Sequence, residues 1–148
     1  MKRALVGWVM AVLIAAIGGT AVQVHLNASA IAGLGVPVPL GERLSMLGHD
    51  LVHFAPTYSA LIAAAFLVAW PIAGGLARWR PGIRSVLFPL AGFAALAVML
   101  GMMELALPIT AIAAARSFGG VILLCLAGAL GGLAYIASTP SPQKSSSA

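Results

Sequence analysis

Four long apolar runs, separated by shorter polar stretches, dominate the pattern of hydrophobic positions. They cover approximately residues 5–24, 58–77, 85–103 and 109–137, and the first three contain no charged residue. A helix needs about 20 apolar residues to cross the hydrocarbon core of a bilayer, and lipid cannot satisfy an irregular backbone. We therefore predict four membrane-spanning helices. The fourth run is longer than a perpendicular span requires, so we expect it to tilt or to begin outside the hydrocarbon.

The segment between the first two runs is too long for a simple helix connection. Residues 27–39 are rich in small residues and look irregular, whereas the following residues carry a leucine stripe at helical spacing: Leu40, Leu44, Leu47, Leu51 and Phe54. Intervals of four and three residues bring these side chains to one face of a helix. Pro39 suits the first turn, and Pro56 opposes regular continuation into the next span. We predict an amphipathic helix over 40–54.

The predicted fold class is an all-α integral membrane protein, a four-helix bundle with the amphipathic helix on its outer face. The bundle occupies 1–137, and the Ser- and Pro-rich segment 138–148 is predicted to be a disordered cytoplasmic tail. A cleavable signal peptide ending near Ala28-Ser29-Ala30 is the alternative for the first run, but that run is longer than a usual signal h-region.

Composition supports a membrane class. The 148 residues are 61% hydrophobic and 7% charged, and the mean hydropathy is +1.07, which excludes an ordinary soluble domain. The chain has one cysteine, so no internal disulfide can form. The net charge of +5 does not indicate nucleic-acid binding, because most of the cations flank the apolar runs.

Charge position also predicts orientation. One side of the predicted bundle carries Lys2, Arg3, Arg78, Arg80, Arg84 and Lys144; the other carries Arg43, Arg116 and the three acids Glu42, Asp50 and Glu104. By the positive-inside rule both termini are cytoplasmic, and we expect a bacterial-type inner membrane.

The polar face of the outer helix is the strongest candidate for chemistry. His49 and His53 lie four positions apart and project from one face, with Glu42, Met46 and His25 as further candidate metal ligands. Histidine with methionine suits copper, and histidine with carboxylate suits zinc; a haem would need His25 as its second axial ligand. The run from His49 to His53 is similar to the HExxH zinc-protease motif, but Asp50 replaces the glutamate base, so we assign no catalytic residue.

A second candidate cluster lies at the outer ends of the later spans. Glu104 and Arg116 could form an ion pair there, or could line an outer pocket with Tyr58 that admits a lipid-like molecule. No ionisable residue lies near the middle of a predicted span, which disfavours an ion-coupled transporter.

Small residues in the fourth run predict close helix packing. Gly128 and Gly132 form a GxxxG pair, beside a second pair of Ala127 and Gly131. These faces suit packing within the bundle or docking of a second copy or a larger complex. The leading functional hypothesis is a non-enzymatic structural or accessory subunit. The alternatives are an outer-face metal or haem protein and, less favoured, a carrier or enzyme for a lipid-like molecule.

Overall fold

The computed structural model describes residues 2–106 and 112–139, and within those ranges it is all-helical. Five α-helices follow one another: α1 (Lys2–Gly33), α2 (Leu40–His53), α3 (Ala55–Trp79), α4 (Arg84–Ala106) and α5 (Phe118–Ser138). Short 3-10 turns at Pro81–Ile83 and Ala113–Arg116 precede α4 and α5. Helices α1, α3, α4 and α5 are long and apolar enough to cross a membrane.

Helix α1 is longer than its apolar run predicted. It continues through 27–33, which we expected to be irregular, because Ala28, Ala30 and Ala32 favour helix and no breaker intervenes. It ends where the Leu34 and Gly35 amides donate to carbonyls of the last turn, with Gly35 at φ +85°. At 1.5 Å per residue its 32 residues span about 48 Å, so α1 extends well beyond a bilayer core of about 30 Å.

Helix α5 begins at Phe118, later than the fourth apolar run. The Ser117 hydroxyl accepts a hydrogen bond from the Gly120 amide at 3.0 Å and caps the helix N-terminus. The preceding residues form the 3-10 turn that ends at Arg116. Residues 109–111 of the predicted span lie outside the described residues, as does the predicted tail beyond Thr139.

Helices α2 and α3 are separated by a single residue, as the proline predicts. Phe54 keeps a helical backbone (φ −92°, ψ −46°), and its amide still donates to the Asp50 carbonyl at 2.9 Å. Pro56 has no N–H to donate to the previous turn, so the series of helical hydrogen bonds is interrupted there and resumes in α3. Two further prolines, Pro71 and Pro89, lie inside α3 and α4.

The four long helices form an antiparallel bundle in the order α1, α3, α4, α5, with α5 returning to pack against α1. Gly7 of α1 lies beside Tyr135 near the end of α5, and Gly18 lies beside Ala127, which fixes the antiparallel direction of this pair. Helices α4 and α5 are also antiparallel, because Gly92 contacts Gly128 whereas Phe88, earlier in α4, contacts Gly132, later in α5. The tightest interfaces are those that α5 makes with α1 and α4.

The distribution of side-chain size differs between the interior and the surface of the bundle. The interior holds many alanines and glycines, whereas large apolar side chains cover the flanks of the bundle, among them Leu13, Ile17, Leu67, Val68, Leu90, Val98, Leu126 and Leu130. Monomeric soluble proteins rarely expose so wide an apolar surface. This arrangement is compatible with a multi-pass membrane protein.

The antiparallel order sorts the charges between the two ends of the bundle. The end that we call the basic end carries the start of α1, the end of α3 and the start of α4, with Lys2, Arg3, Arg78, Arg80 and Arg84. The opposite, acidic end carries α2 and the end of α4, with Glu42, Asp50 and Glu104.

Candidate functional site

The GxxxG pair of α5 packs inside the chain's own bundle. A Cβ added to Gly128 would overlap the backbone carbonyl oxygen of Gly92, and one added to Gly132 would stand 2.6 Å from the Phe88 carbonyl carbon. These glycines therefore allow the backbones of α4 and α5 to touch.

The neighbouring small pair faces the other side. A Cβ at Gly131 would stand 2.7 Å from the Ala11 carbonyl oxygen of α1, and Ala127 is buried beside Gly18. Both small-residue faces of α5 are thus occupied by helices of the same chain. Neither is left on the surface for a second copy.

The predicted metal ligands do not gather into one group. Among the residues that the structure describes, no three His, Cys, Asp or Glu side chains lie close enough together to hold a metal ion. His25 is exposed near the end of α1, and Glu42 is exposed on α2, where Met46 is half-buried. The histidines and carboxylates of the described residues therefore do not form a closed metal site by themselves.

His49 and His53 do meet, as their spacing predicts. Their rings stack with centroids 4.2 Å apart, and the His53 Nδ1 lies 3.0 Å from the His49 carbonyl oxygen. When Nδ1 carries the proton it donates to that carbonyl, which leaves Nε2 as the free lone pair. Both side chains are exposed.

The proposed cluster of Glu104, Arg116 and Tyr58 does not assemble. Within the described ranges neither Glu104 nor Arg116 forms an ion pair or a hydrogen bond, and both side chains are exposed. Glu104 lines a small cavity of about 130 Å³ with Met103 and Ala115, but neither Arg116 nor Tyr58 lines it.

Tyr58 lies in the core instead of an outer pocket. Its side chain is 1% exposed, its ring packs over Gly19, and it stacks with Phe54 at a centroid distance of 5.1 Å. Gln23 of α1, four residues after Gly19, is also buried. In the described part of the chain, the Tyr58 hydroxyl and the Gln23 Oε1 have no hydrogen-bond partner. Both polar groups are therefore buried in the part of the bundle toward the acidic end.

Helix α2 contacts the bundle with a face that shares only Leu47 and Phe54 with the predicted leucine stripe. The half-buried residues of this segment are Arg43, Met46, Leu47, Asp50 and Phe54, which recur at helical spacing. The Arg43 Nε donates to the Val38 carbonyl at 3.1 Å, which fixes the start of the helix. Three stripe leucines stay exposed as a result: Leu40 (73%), Leu44 (60%) and Leu51 (39%).

An aromatic groove lies between α1 and α3 at the basic end. It has a volume of about 520 Å³ and is walled by Trp8, Phe66, Trp70 and Pro71, with Tyr135 of α5 also lining it. The Phe66 and Trp70 rings stack at 4.1 Å, and Trp70 contacts Phe88 edge to face at 5.7 Å. This cluster packs rigidly on the α3–α4–α5 side of the groove.

We did not predict this groove from the sequence. Phe66 and Trp70 are four residues apart on one helix face, immediately before a proline, and that spacing was the available signal. Nothing in the sequence alone places Trp8 and Tyr135 opposite them.

Comparison with protein-family models, with curated proteins and with solved structures gave no match to this chain.

Proposed function

We propose that this chain is a non-enzymatic accessory subunit of a bacterial-type inner membrane, with both termini in the cytoplasm, that docks a different protein through α2. The docking surface is the exposed stripe of Leu40, Leu44 and Leu51. One observation carries the proposal: the half-buried face of α2 includes Leu47 and Phe54 but not these three leucines, which stay exposed among the residues that the structure describes. Exposed apolar patches of this kind mark interaction sites.

The charge of α2 favours a protein over a lipid surface as the occupant. The helix carries two carboxylates, Glu42 and Asp50, against one guanidinium, and that Arg43 is half-buried and bonded to Val38. A helix that binds anionic head groups is normally rich in exposed Lys and Arg. The apolar stripe therefore suits an apolar surface of a partner protein.

The orientation in this proposal rests on the cations of the basic end. Lys2, Arg3, Arg78 and Arg80 are all exposed there, and the positive-inside rule assigns such an end to the cytoplasm. Helix α2 then faces the periplasm, where its partner must reach it.

Site-specific photo-crosslinking tests the docking surface. A photoreactive residue replaces Leu44 on the stripe or, as the control, the exposed Glu42 on the opposite side of α2. We expect one discrete protein adduct from position 44 and little from position 42. In the position-44 protein, Leu40→Glu or Leu51→Glu should lower the adduct about tenfold, since burial of a leucine contributes about 1.5–3 kcal/mol.

Three results would contradict this assignment. Equal adducts from positions 42 and 44 would remove the selectivity of the stripe. Labelling of lipid alone would make α2 an interfacial helix. An adduct of twice the chain's own mass would identify a second copy in place of a different protein.

Metal binding on α2 is a second candidate function, favoured by the stacked pair of His49 and His53. Their two imidazoles would supply two ligands, and a copper or zinc site needs one or two more from outside the pair. We expect Cu²⁺ or Zn²⁺ to bind the purified protein in titration calorimetry, and His49→Ala and His53→Ala to abolish the heat while Ser45→Ala does not. Identical titrations of all three variants would exclude this site.

A further inference from the structure

The groove between α1 and α3 arises from an uneven fit of these two helices. At the acidic end Gly19 lets the Tyr58 ring lie against the α1 backbone. At the basic end the indoles of Trp8 and Trp70 are much larger and form opposite walls, so the helices cannot close there. The resulting space of about 520 Å³ falls within the range of about 300–1,000 Å³ that is usual for ligand sites.

The groove opens sideways, toward the surface that the bundle turns to lipid. Leu5 of α1 and Leu67 of α3 line its edges, and each side chain is 63% exposed. An apolar chain that enters from the bilayer would therefore meet apolar edges and aromatic walls throughout.

Cations lie beside one end of the groove. Ala4 and Leu5 line it, and the residues before them in the first turn of α1 are Lys2 and Arg3, both exposed. Arg3 precedes Trp8 by five residues, which is about 7.5 Å along the helix axis. A negative charge at the head of a bound apolar chain would thus find its counterions at this level.

The walls also hold two hydrogen-bond donors that are not used. Over the residues given by the structure, neither the Trp8 nor the Trp70 indole N–H has a partner, and both nitrogens are covered by neighbouring atoms. In addition, Pro71 removes the helical donor for the Leu67 carbonyl on the groove's edge.

We propose that this groove binds one acyl chain of an anionic phospholipid, with the phosphate held by Lys2 and Arg3 and the ester carbonyl at the level of Trp8. The charge of the basic end selects an anionic over a zwitterionic lipid. This site is independent of the α2 surface, since it lies at the opposite end of the bundle.

Fluorescence quenching by brominated lipids tests the proposal. The protein carries Trp79→Phe, which removes the 90% exposed third tryptophan and leaves Trp8 and Trp70 as reporters. It is placed in vesicles of phosphatidylcholine with a rising fraction of brominated phosphatidylglycerol or, for comparison, brominated phosphatidylcholine. We expect half-maximal quenching at a roughly fivefold to thirtyfold lower fraction of the anionic lipid, because each of the two cations near the surface contributes up to about 1 kcal/mol.

Two pairs of variants separate the site from general lipid contact. Arg3→Gln should raise the fraction of anionic lipid that gives half-maximal quenching about fivefold. Arg80→Gln removes an exposed cation of the same end and should change that fraction little. Ala4→Phe should fill the groove and reduce quenching, whereas Val9→Phe adds the same ring on another exposed face of α1.

Equal quenching by the two brominated lipids in the protein with native Arg3 and Ala4 would overturn the proposal, and this result needs no variant in the groove to fold. Equal effects of Arg3→Gln and Arg80→Gln would overturn it too. The preference for anionic lipid would then depend on the overall charge of the basic end and not on a cation beside the groove.

Discussion

The ring of Tyr58 lies against the backbone of Gly19, so that a Cβ at position 19 would stand 2.5 Å from Cε1 and 2.8 Å from the hydroxyl oxygen. This contact closes α1 onto α3 at the acidic end, and it buries Tyr58 almost completely. The glycine is therefore a condition for the pairing of two spans.

Gly19→Ala should destabilise the bundle by about 1–3 kcal/mol, because the aromatic ring must move out of a filled core. The measurement is the midpoint of unfolding in detergent. The matched control is Gly74→Ala in α3, where an added Cβ meets nothing within 4 Å. That variant should be neutral or slightly more stable, since alanine is the better helix former. Equal losses of stability in both variants would contradict the close contact between Gly19 and the Tyr58 ring.

Gly128→Ala should prevent α4 and α5 from packing, since its Cβ would overlap the Gly92 carbonyl oxygen and a backbone cannot step aside as a side chain does. We expect a loss of at least about 1–3 kcal/mol and a lower yield of monodisperse protein in size-exclusion chromatography. Gly101→Ala, in open space on α4, is the control and should leave the yield unchanged. A well-folded Gly128→Ala variant that only loses a partner would show that this face docks another protein.

Tyr58→Phe should leave stability unchanged or raise it by up to about 1 kcal/mol, because in the described ranges the buried hydroxyl has no partner whose hydrogen bond would be lost. Tyr58→Leu should instead cost about 2–4 kcal/mol through the cavity left by the ring. The unfolding midpoints of both variants measure this difference. A loss of more than about 1 kcal/mol in Tyr58→Phe would mean that the hydroxyl is hydrogen-bonded in the membrane.

The sequence predicts the helices well where charged residues or prolines mark their ends. Arginines and prolines bound α3 and α4, so the predicted 58–77 and 85–103 lie within Ala55–Trp79 and Arg84–Ala106. The end of α1 was missed because the apolar run ends near Val24, while the helix continues through small residues to Gly33. Hydropathy marks the part of a helix that suits lipid, which is not the same as the whole helix.

The candidate sites were less accessible, because they depend on which faces meet. Helical spacing identified the leucine stripe of α2, but only Leu47 and Phe54 of that stripe are half-buried. The half-buried face also includes Arg43, Met46 and Asp50. Likewise, a GxxxG pair predicts close approach without naming the partner, which here is Gly92 of the same chain. The aromatic groove joins residues from three helices, and spacing within one helix cannot find it.

The proposed orientation places the basic end of the four-span bundle in the cytoplasm and α2 on the outer side of the membrane. Cysteine accessibility in intact cells tests it most directly. In a Cys125→Ser background, which removes the chain's one native thiol, single cysteines replace Ser45 of α2 and Gly82 between α3 and α4, both exposed. A membrane-impermeant thiol reagent should label Ser45→Cys in intact cells and Gly82→Cys only after lysis. Labelling of both positions from outside, or the reverse pattern, would contradict this orientation of the bundle.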